Sequence, residues 1–181
     1  TIMRERAQEL DALTVSANTE VLGIDVENGQ VVRVRTNQGD IETNVVVIAC
    51  GCWSPKIARM AGASIPLTPA VHQMKDIGPV PRFADAKGDI EYPIVRDMDT
   101  NMYERQHGTG LEVGSYAHRP ILHRVDEIPS NAEAALSPTE FPFTQDDFDL
   151  QDEHALELMP EIVGDESVGQ KYAINGILSL T

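Results

Sequence analysis

The sequence predicts an α+β fold, in which a few helices accompany a mixed and mostly antiparallel set of strands. Short runs of alternating apolar and polar residues are separated by turn-forming pairs such as Asn28-Gly29, which favour tight hairpins because both residues tolerate a positive φ. Helical spacing is limited to three stretches. The proline-punctuated segment 65–69 then marks a change of character, so we predict two domains, residues 1–64 and 65–181.

The first predicted domain begins with a helical pattern over residues 2–13, where apolar side chains share one face. Three strands are predicted to follow, over residues 19–26, 30–36 and 41–49. The last contains a run of β-branched residues from Val45 to Ile48, which is typical of a strand buried on both faces. Such strands bind ligands at their carboxyl ends in α/β sheets, so residues 49–54 are predicted to form a binding edge.

The second predicted domain is richer in short strands. Strands are predicted over residues 93–96, 102–106 and 111–116, and a helix over 148–159. Alternation along the middle strand should place Met102, Glu104 and Gln106 on one face and Tyr103, Arg105 and His107 on the other. Residues 119–145 contain four prolines and are predicted to be a long surface excursion, and 169–181 form a strand-like run.

A short helix is predicted near the end of the first domain. Ser54-Pro55 places proline in the first helical turn, and Gly62 is predicted to end the helix because glycine readily adopts the left-handed C-cap conformation.

The charge balance restricts the partners of the protein. There are 29 acidic residues against 14 basic ones, for a formal net charge of −15. Nucleic acid is disfavoured as a partner, because that binding depends on Lys and Arg neutralising phosphates. The excess of aspartate and scarcity of lysine predict a salt-adapted, halophilic protein, with an ordinary acidic cytosolic enzyme as the alternative.

Neither a membrane association nor a metal site is predicted. No apolar run approaches the roughly 20 residues of a membrane span, and no secretory signal is visible, so we expect a cytoplasmic location. Cys50 and Cys52 are too close in sequence to suit a structural disulfide, and two thiols do not complete a zinc site. His107, His118, His123 and His154 also lack the sequence spacing of metal ligands.

Several motifs resemble one family of flavoproteins. The aliphatic run ending in Ala49-Cys-Gly-Cys-Trp-Ser54 is similar to the second flavin-contacting strand of the glycine oxidase, sarcosine oxidase and dimethylglycine dehydrogenase family. The run from Ile65 to Gln73 resembles the family's I-P-L-x-P-x-x-H-Q segment. The most specific likeness is R-D-x-D-x-x-x-Y-x-R-x-x-x-x-G-L-x-V-G-x-Y, residues 96–116, which resembles the sheet that covers the flavin in dimethylglycine and sarcosine dehydrogenases.

This resemblance implies FAD-dependent oxidation of an N-methyl amino acid such as dimethylglycine or sarcosine. The products would be the demethylated amine and formaldehyde, or a one-carbon unit carried by folate on a further domain. Residues 1–64 would be the C-terminal portion of the FAD domain, and 65–181 the substrate domain. The resemblance assigns cofactor contacts to Val21, Ala49, Gly51 and Trp53.

The resemblance also assigns the chemistry to His72 and Tyr103, since a neutral imidazole and a phenol can hydrogen-bond an amine without a permanent charge. The alternatives are a half-buried histidine bonded to a backbone carbonyl and an aromatic packed in the core. Arg105 is predicted to bind the substrate carboxylate, with an ion pair to Asp97 or Asp99 as the alternative.

The final strand-like run resembles the family segment that returns from the substrate domain to the flavin. Asn175 and Gly176, at its centre, are assigned to substrate binding by this resemblance.

One family motif is absent from the sequence. The family opens with G-x-G-x-x-G, which binds the pyrophosphate at a helix N-terminus, and these residues contain no such pattern. We therefore expect a partial catalytic unit that needs further N- and C-terminal segments to bind FAD well. Alternative functions are oxidation of another amino acid or a 2-hydroxy acid, or a non-catalytic interaction domain. If the fold brings the side chains of His72 and Tyr103 together, the amine reaction is favoured over these alternatives.

Overall fold

The computed structural model of the chain describes residues 2–130, 132–134 and 137–180. The chain divides into two compact units. The first unit is made of Thr1–Cys50 and Ser54–Ile65, and the second of Gly51–Trp53 and Pro66–Thr181. Helices and mostly antiparallel strands occur together, which confirms the predicted α+β class.

The first unit contains a three-stranded antiparallel sheet in the order β1-β2-β3. Its elements are α1 (Ile2–Glu9), β1 (Val21–Glu27), β2 (Gln30–Thr36), β3 (Gly39–Glu42) and α2 (Ser54–Met60). The predicted turn between β1 and β2 is confirmed, with φ of 51° at Asn28 and 80° at Gly29. Gly62 follows α2 with a φ of 70°, as expected of a residue that ends a helix.

The N-terminal helix is shorter than predicted. It ends at Glu9, and Asp11 adopts a left-handed φ of 54°. No residue of α1 is buried, so the apolar positions of the pattern find no surface to pack against among the described residues. Helix length in proteins is set largely by such packing, which explains the early end.

The predicted buried strand over residues 41–49 is wrong. Strand β3 ends at Glu42, and the residues that follow, including Ala49, lie outside any described strand. Val45 and Val47 are 68% and 85% exposed. A strand buried on both faces needs neighbours that pair with its backbone, and no described strand pairs with this run.

The second unit is built on a six-stranded antiparallel sheet in the order β5-β6-β7-β4-β9-β8. Its strands are β4 (Thr68–Gly78), β5 (Val95–Asp97), β6 (Met102–His107), β7 (Gly110–Ser115), β8 (Glu140–Phe141) and β9 (Gly169–Leu180). The long strand β4 lies between β7 and β9 and pairs with both. The three predicted strands around residues 93–116 are therefore present, and each strand end lies within two residues of its predicted position.

Alternation gives this sheet two different faces. We call one the helix face, which carries the side chains of Gln73, Lys75, Ile77, Met102 and Glu104, and the other the site face, which carries those of His72, Met74, Asp76, Tyr103 and Arg105. Along β6 the helix-face residues are buried and the site-face residues are partly exposed. The predicted alternation in β6 is confirmed.

The helix face is covered by α3 (Asp149–Leu158) and α4 (Pro160–Val163). Phe148 and Ala155 pack there against buried side chains of the sheet, which include Ile77, Met102, Leu111 and Val113. The predicted helix over 148–159 therefore exists, with proline opening a second short helix. None of the described helices is long and apolar enough to cross a membrane.

Residues 119–145 were predicted to form a surface excursion, but some of the described residues in this segment pack into the second unit. Val125 and Ile128 are buried, and Ile128 packs with Val71, Ile177 and Cys52 in a second cluster. The segment also supplies β8, which pairs with the middle of β9. Its apolar residues between the prolines account for this packing.

Candidate active site

The site face brings His72 and Tyr103 together. His72 lies on β4 and Tyr103 on β6, and strand β7 pairs with both of these strands. The Nε2 atom of His72 lies 3.0 Å from the Tyr103 hydroxyl oxygen, a hydrogen bond in which the donor depends on the imidazole tautomer. Two side chains 31 residues apart in sequence thus form one polar pair.

A glycine makes this pairing possible. Gly114 on β7 is the cross-strand partner of Tyr103. A Cβ atom at Gly114 would lie 2.1 Å from the Tyr103 ring, so the ring lies directly over bare backbone. Any larger residue at this position would push the phenol away from His72.

Tyr116 extends the pair into an aromatic cluster. Its ring stacks on His72 with a centroid distance of 4.1 Å and an interplanar angle of 16°. The Tyr103 and Tyr116 centroids are 6.2 Å apart. The guanidinium carbon of Arg96 lies 5.7 Å from the Tyr116 ring centroid. The sequence reading did not assign a role to Arg96 or Tyr116.

The pair is electrically neutral near neutral pH. Burial lowers the pKa of His72 from 6.5, and His118 contributes in the same direction while the Ser115 backbone opposes it. Burial raises the pKa of Tyr103 to about 12, with added repulsion from Glu112. The imidazole therefore stays unprotonated and the phenol keeps its proton. Buried Nδ1 of His72 forms no hydrogen bond of ordinary geometry within the described part of the chain.

A pocket opens beside this cluster, with a volume of ≈ 310 Å³. His72 and Tyr116 line one part, and apolar side chains that include Ala70, Leu122 and Leu178 line the rest. A mostly apolar cavity with a few polar groups is the usual form of a small-molecule site. Its size suits a small substrate next to the imidazole.

Arg105 is engaged in an ion pair on the site face, and its role in binding the substrate carboxylate stays a prediction. It forms an ion pair with its cross-strand partner Glu112, and Nε donates to Oε2 at 2.7 Å. The alternative prediction was an ion pair with Asp97 or Asp99. An ion pair is present, but its acidic partner is Glu112. Asp97 instead accepts hydrogen bonds from the Asp99 amide and the Thr100 hydroxyl in the β5–β6 turn, and these hold the pKa of its carboxyl below the usual range.

Asn175 and Gly176 are adjacent but lie on opposite faces. Gly176 pairs with His72 across the β4–β9 ladder, and a Cβ there would lie 3.3 Å from the His72 carbonyl oxygen. Asn175 is buried on the helix face, where its amide bonds to Gln73 and Thr144. Only Gly176 therefore stays in the proposed substrate site.

The predicted cofactor contacts lie in both units. Val21 begins β1 and is partly buried, and Ala49 lies exposed in the irregular run that precedes α2. Gly51 is exposed with a φ of 53°, and a Cβ there would meet only the Ser179 hydroxyl, at 3.7 Å. Trp53 packs beside the cluster that contains Val71. These placements leave the four assignments as predictions.

Two glycines leave backbone that a planar cofactor could approach. Gly176 lies opposite His72 on the site face, and exposed Gly51 lies beside Ser179, whereas the Tyr103 ring covers Gly114. Among the described residues there is no cluster of three or more His, Cys, Asp or Glu side chains arranged to hold a metal ion.

The positions of Arg96 and Tyr116 at the site depend on strand register, which local sequence patterns do not predict. Arg96 is the cross-strand partner of Tyr103 in the β5–β6 pair, so it lies on the site face. Tyr116 follows the end of β7, beyond Ser115. The available signal was that Arg96 and Tyr116 open and close the most specific motif in the sequence, residues 96–116.

Comparison with known proteins agrees with this architecture. The chain is 36% identical over 109 residues to 4-methylaminobutanoate oxidase (formaldehyde-forming) of Paenarthrobacter nicotinovorans. The matched region covers 60% of this chain and 12% of that protein. It is 31% identical over 181 residues to mitochondrial sarcosine dehydrogenase of Mus musculus, which covers 97% of this chain and 18% of that protein. The chain thus spans less than a fifth of these relatives.

The fold has a counterpart among solved structures. L-proline dehydrogenase from P. horikoshii matches with a TM-score of 0.62 and 24% identity, over 90% of this chain and 38% of that one. The sequence also matches the DAO family, described as FAD dependent oxidoreductase, over residues 2–180. The predicted resemblance is confirmed, and the chain belongs to the DAO family of FAD-dependent oxidoreductases.

Proposed function

We propose that the complete protein containing this chain oxidises an N-methylated amino acid, such as dimethylglycine or sarcosine, to the demethylated amine and formaldehyde. The observation that carries the proposal is the neutral His72–Tyr103 pair at 3.0 Å beside an apolar pocket. The names of two relatives, a sarcosine dehydrogenase and a formaldehyde-forming methylaminobutanoate oxidase, support an N-methyl amine as substrate.

The site is suited to hold an amine without its extra proton. An amine gives up hydride from an adjacent methyl group only when its nitrogen lone pair is free. The same burial that lowers the pKa of His72 disfavours a bound ammonium ion. His72 and Tyr103 can hydrogen-bond the amine and orient the methyl group without adding charge.

The chain's residues supply position, and the cofactor supplies the electron sink. Bound FAD would supply the acceptor for the hydride that the substrate methyl group gives up. The family resemblance assigns contacts with it to Gly51 and Trp53 in the second unit and to Val21 and Ala49 in the first. Water adds to the resulting substrate iminium carbon and releases formaldehyde. Transfer of that carbon to folate, and a cytoplasmic location, stay predictions.

The paired side chains also bear on the alternative functions. An interaction domain derived from this fold has no need for a histidine and a tyrosine in hydrogen-bond contact over a pocket. A 2-hydroxy acid must lose its hydroxyl proton as it is oxidised, and the lowered pKa of His72 makes its imidazole a weaker base for that proton. The amine reaction is therefore the function that the geometry supports best.

The proposal is tested with the complete protein under anaerobic conditions. Addition of dimethylglycine or sarcosine should bleach the flavin absorbance near ~450 nm, because the oxidised ring loses that band on reduction. Glycine, which has no N-methyl group, and glycolate, a 2-hydroxy acid, serve as controls. Bleaching by glycolate alone, or by none of the four compounds, would contradict the proposal.

A further inference from the structure

The imidazole of His72 has fewer hydrogen bonds to fix it than a histidine at a polar site usually has. Its Nε2 atom bonds to the Tyr103 hydroxyl, but its buried Nδ1 atom makes no hydrogen bond of ordinary geometry within the described residues. A hydrogen bond at the second ring nitrogen is what ordinarily fixes the tautomer and orientation of an imidazole. The orientation of this ring therefore depends on the groups packed against its faces.

Tyr116 packs directly against this imidazole. The two ring planes are 16° apart and their centroids are 4.1 Å apart, whereas the Tyr103 centroid lies 5.6 Å from that of His72. Tyr116 is 50% exposed and lines the pocket together with His72. One face of the imidazole is therefore covered by the tyrosine ring, which keeps water from that face.

Two backbone hydrogen bonds hold Tyr116 in this place. Its amide nitrogen donates to the Asn101 carbonyl oxygen at 3.1 Å, and Asn101 adopts a left-handed φ of 54° in the turn between β5 and β6. The next amide, that of Ala117, donates at 3.0 Å to the hydroxyl of Ser115, which is fully buried. Strand β7 ends at Ser115, so these bonds replace strand pairing at Tyr116. The half-exposed ring thus extends from a fixed backbone.

Building on the proposed function, we propose that Tyr116 is a positioning residue: its ring holds the His72 imidazole where Nε2 meets the Tyr103 hydroxyl and shields one imidazole face from water. The shielding bears on the charge of His72, because burial is the largest cause of its lowered pKa. Loss of the ring should therefore raise that pKa toward 6.5. The stack is made by the ring, so phenylalanine should serve in place of tyrosine.

The other groups that face His72 do not favour a charged imidazole. Tyr103 on β6 keeps its proton, and the positive charge of His118, in the segment after β7, adds to the lowering of the His72 pKa. Strand β9 contributes only the glycine opposite His72. A tyrosine ring attracts cations, but Arg96 on β5 already places its guanidinium carbon 5.7 Å from the Tyr116 centroid. Burial is therefore the effect of Tyr116 that we expect to dominate.

The test uses the complete flavoprotein labelled with carbon-13 at histidine Cε1, so that NMR follows the titration of His72, with His72→Gln to identify its signal. Tyr116→Leu should move this titration to higher pH, toward 6.5, and Tyr116→Phe should leave it unchanged. Flavin reduction by dimethylglycine should slow on the order of 10-fold in Tyr116→Leu, because the imidazole is less well placed. Its loss at low pH should also begin at a higher pH. Tyr116→Met repeats the comparison if Tyr116→Leu does not fold.

Tyr92→Leu is the matched control. Tyr92 is 43% exposed, its ring centroid lies 5.9 Å from the Arg82 guanidinium carbon, and it packs on the ring of Phe83, outside the His72 cluster. This variant should keep the wild-type titration and reduction rate.

An unchanged His72 titration in Tyr116→Leu would overturn the inference and leave the proposed function intact, as would a Tyr116→Phe variant that behaves like Tyr116→Leu. A wild-type protein whose flavin no N-methyl amino acid reduces would overturn the proposed function, and with it the positioning role. The titration needs no turnover, so it would still show whether Tyr116 shields His72.

Discussion

The two faces of the six-stranded sheet are made by the same strands but differ in almost every physical respect. On the helix face, neighbouring side chains such as Gln73 and Asn175 bond to each other and Phe148 is fully buried. On the site face, His72 and Tyr103 bond to each other beside an open pocket. One face therefore forms a packed core, while the other holds a polar pair beside a pocket.

This difference explains how one sheet serves two purposes. Successive residues of a strand point to opposite faces, so a substitution at one position leaves the adjacent face largely intact. Stability and chemistry should therefore separate cleanly when residues one position apart are compared.

The largest effect is expected from Phe148→Ala. Phe148 is 0% exposed at the centre of the helix-face core, so its truncation should destabilise the protein by about 3–5 kcal/mol. Urea denaturation of the complete protein would measure this as a lower midpoint. Leu150→Ala, on the same segment but 55% exposed, should shift the midpoint little. Equal shifts for both would contradict the assignment of the core.

Glu104 should make the stability of the helix face depend on pH. Glu104 is 1% exposed and both carboxyl oxygens lack a hydrogen-bond partner among the described residues. Burial, with repulsion from Asp97, raises the pKa of its carboxyl to about 7 from 4.5. The folded state then holds its proton more tightly than the unfolded state, so stability falls as pH rises between these values.

The expected loss from Glu104 is on the order of 3 kcal/mol across that window, because each pKa unit corresponds to about 1.4 kcal/mol. Glu104→Gln should therefore gain stability relative to the wild type at about pH 8 and gain little at about pH 5. Urea midpoints at the two pH values would measure the gain. A gain that does not vary with pH would contradict the raised pKa of the Glu104 carboxyl.

A smaller effect is expected at the site face from Gly114→Ala. The new Cβ would clash with the Tyr103 ring and move its hydroxyl away from His72. Flavin reduction by dimethylglycine should slow by about tenfold, or roughly 1.4 kcal/mol in barrier. Gly169→Ala is the control, because a Cβ there would meet no atom within 4 Å. Similar rates for Gly114→Ala and the wild type would show that the Tyr103 position does not matter.

The smallest effect is expected from Asn175→Ala. Loss of its hydrogen bonds with Gln73 and Thr144 should cost about 1 kcal/mol of stability. The KM for dimethylglycine should not change, because Asn175 lies on the helix face. Denaturation and steady-state kinetics of the same variant would measure both. A raised KM with unchanged stability would return Asn175 to the substrate site.

The sequence predicted features that depend on local rules. The Asn28-Gly29 turn follows from the φ values that these residues tolerate. The alternation of Met102 and Tyr103 follows from the two-residue period of a strand. The pairing of His72 with Tyr103 came from the family resemblance, since no local rule joins residues this far apart.

Features that depend on strand pairing were beyond the sequence. Val45 and Val47 are β-branched, but burial requires neighbouring strands that residue type cannot supply. Arg105 pairs with Glu112 because the register of β6 and β7 places the two residues opposite each other. Acidic residues that are near Arg105 in sequence do not reveal this register. A shift of one residue changes the face, which is why Asn175 and Gly176 could not be separated.

The central claim is that His72 and Tyr103 together act on the substrate amine. The most direct measurement is the rate of anaerobic flavin reduction by saturating dimethylglycine in the complete protein. We expect His72→Ala and Tyr103→Phe each to slow reduction by about 100-fold or more, as for lost acid–base and orienting groups. Tyr172→Phe is the control, because Tyr172 also has a pKa raised to about 12 but donates to Glu140 instead. Wild-type rates in both His72→Ala and Tyr103→Phe would contradict the account.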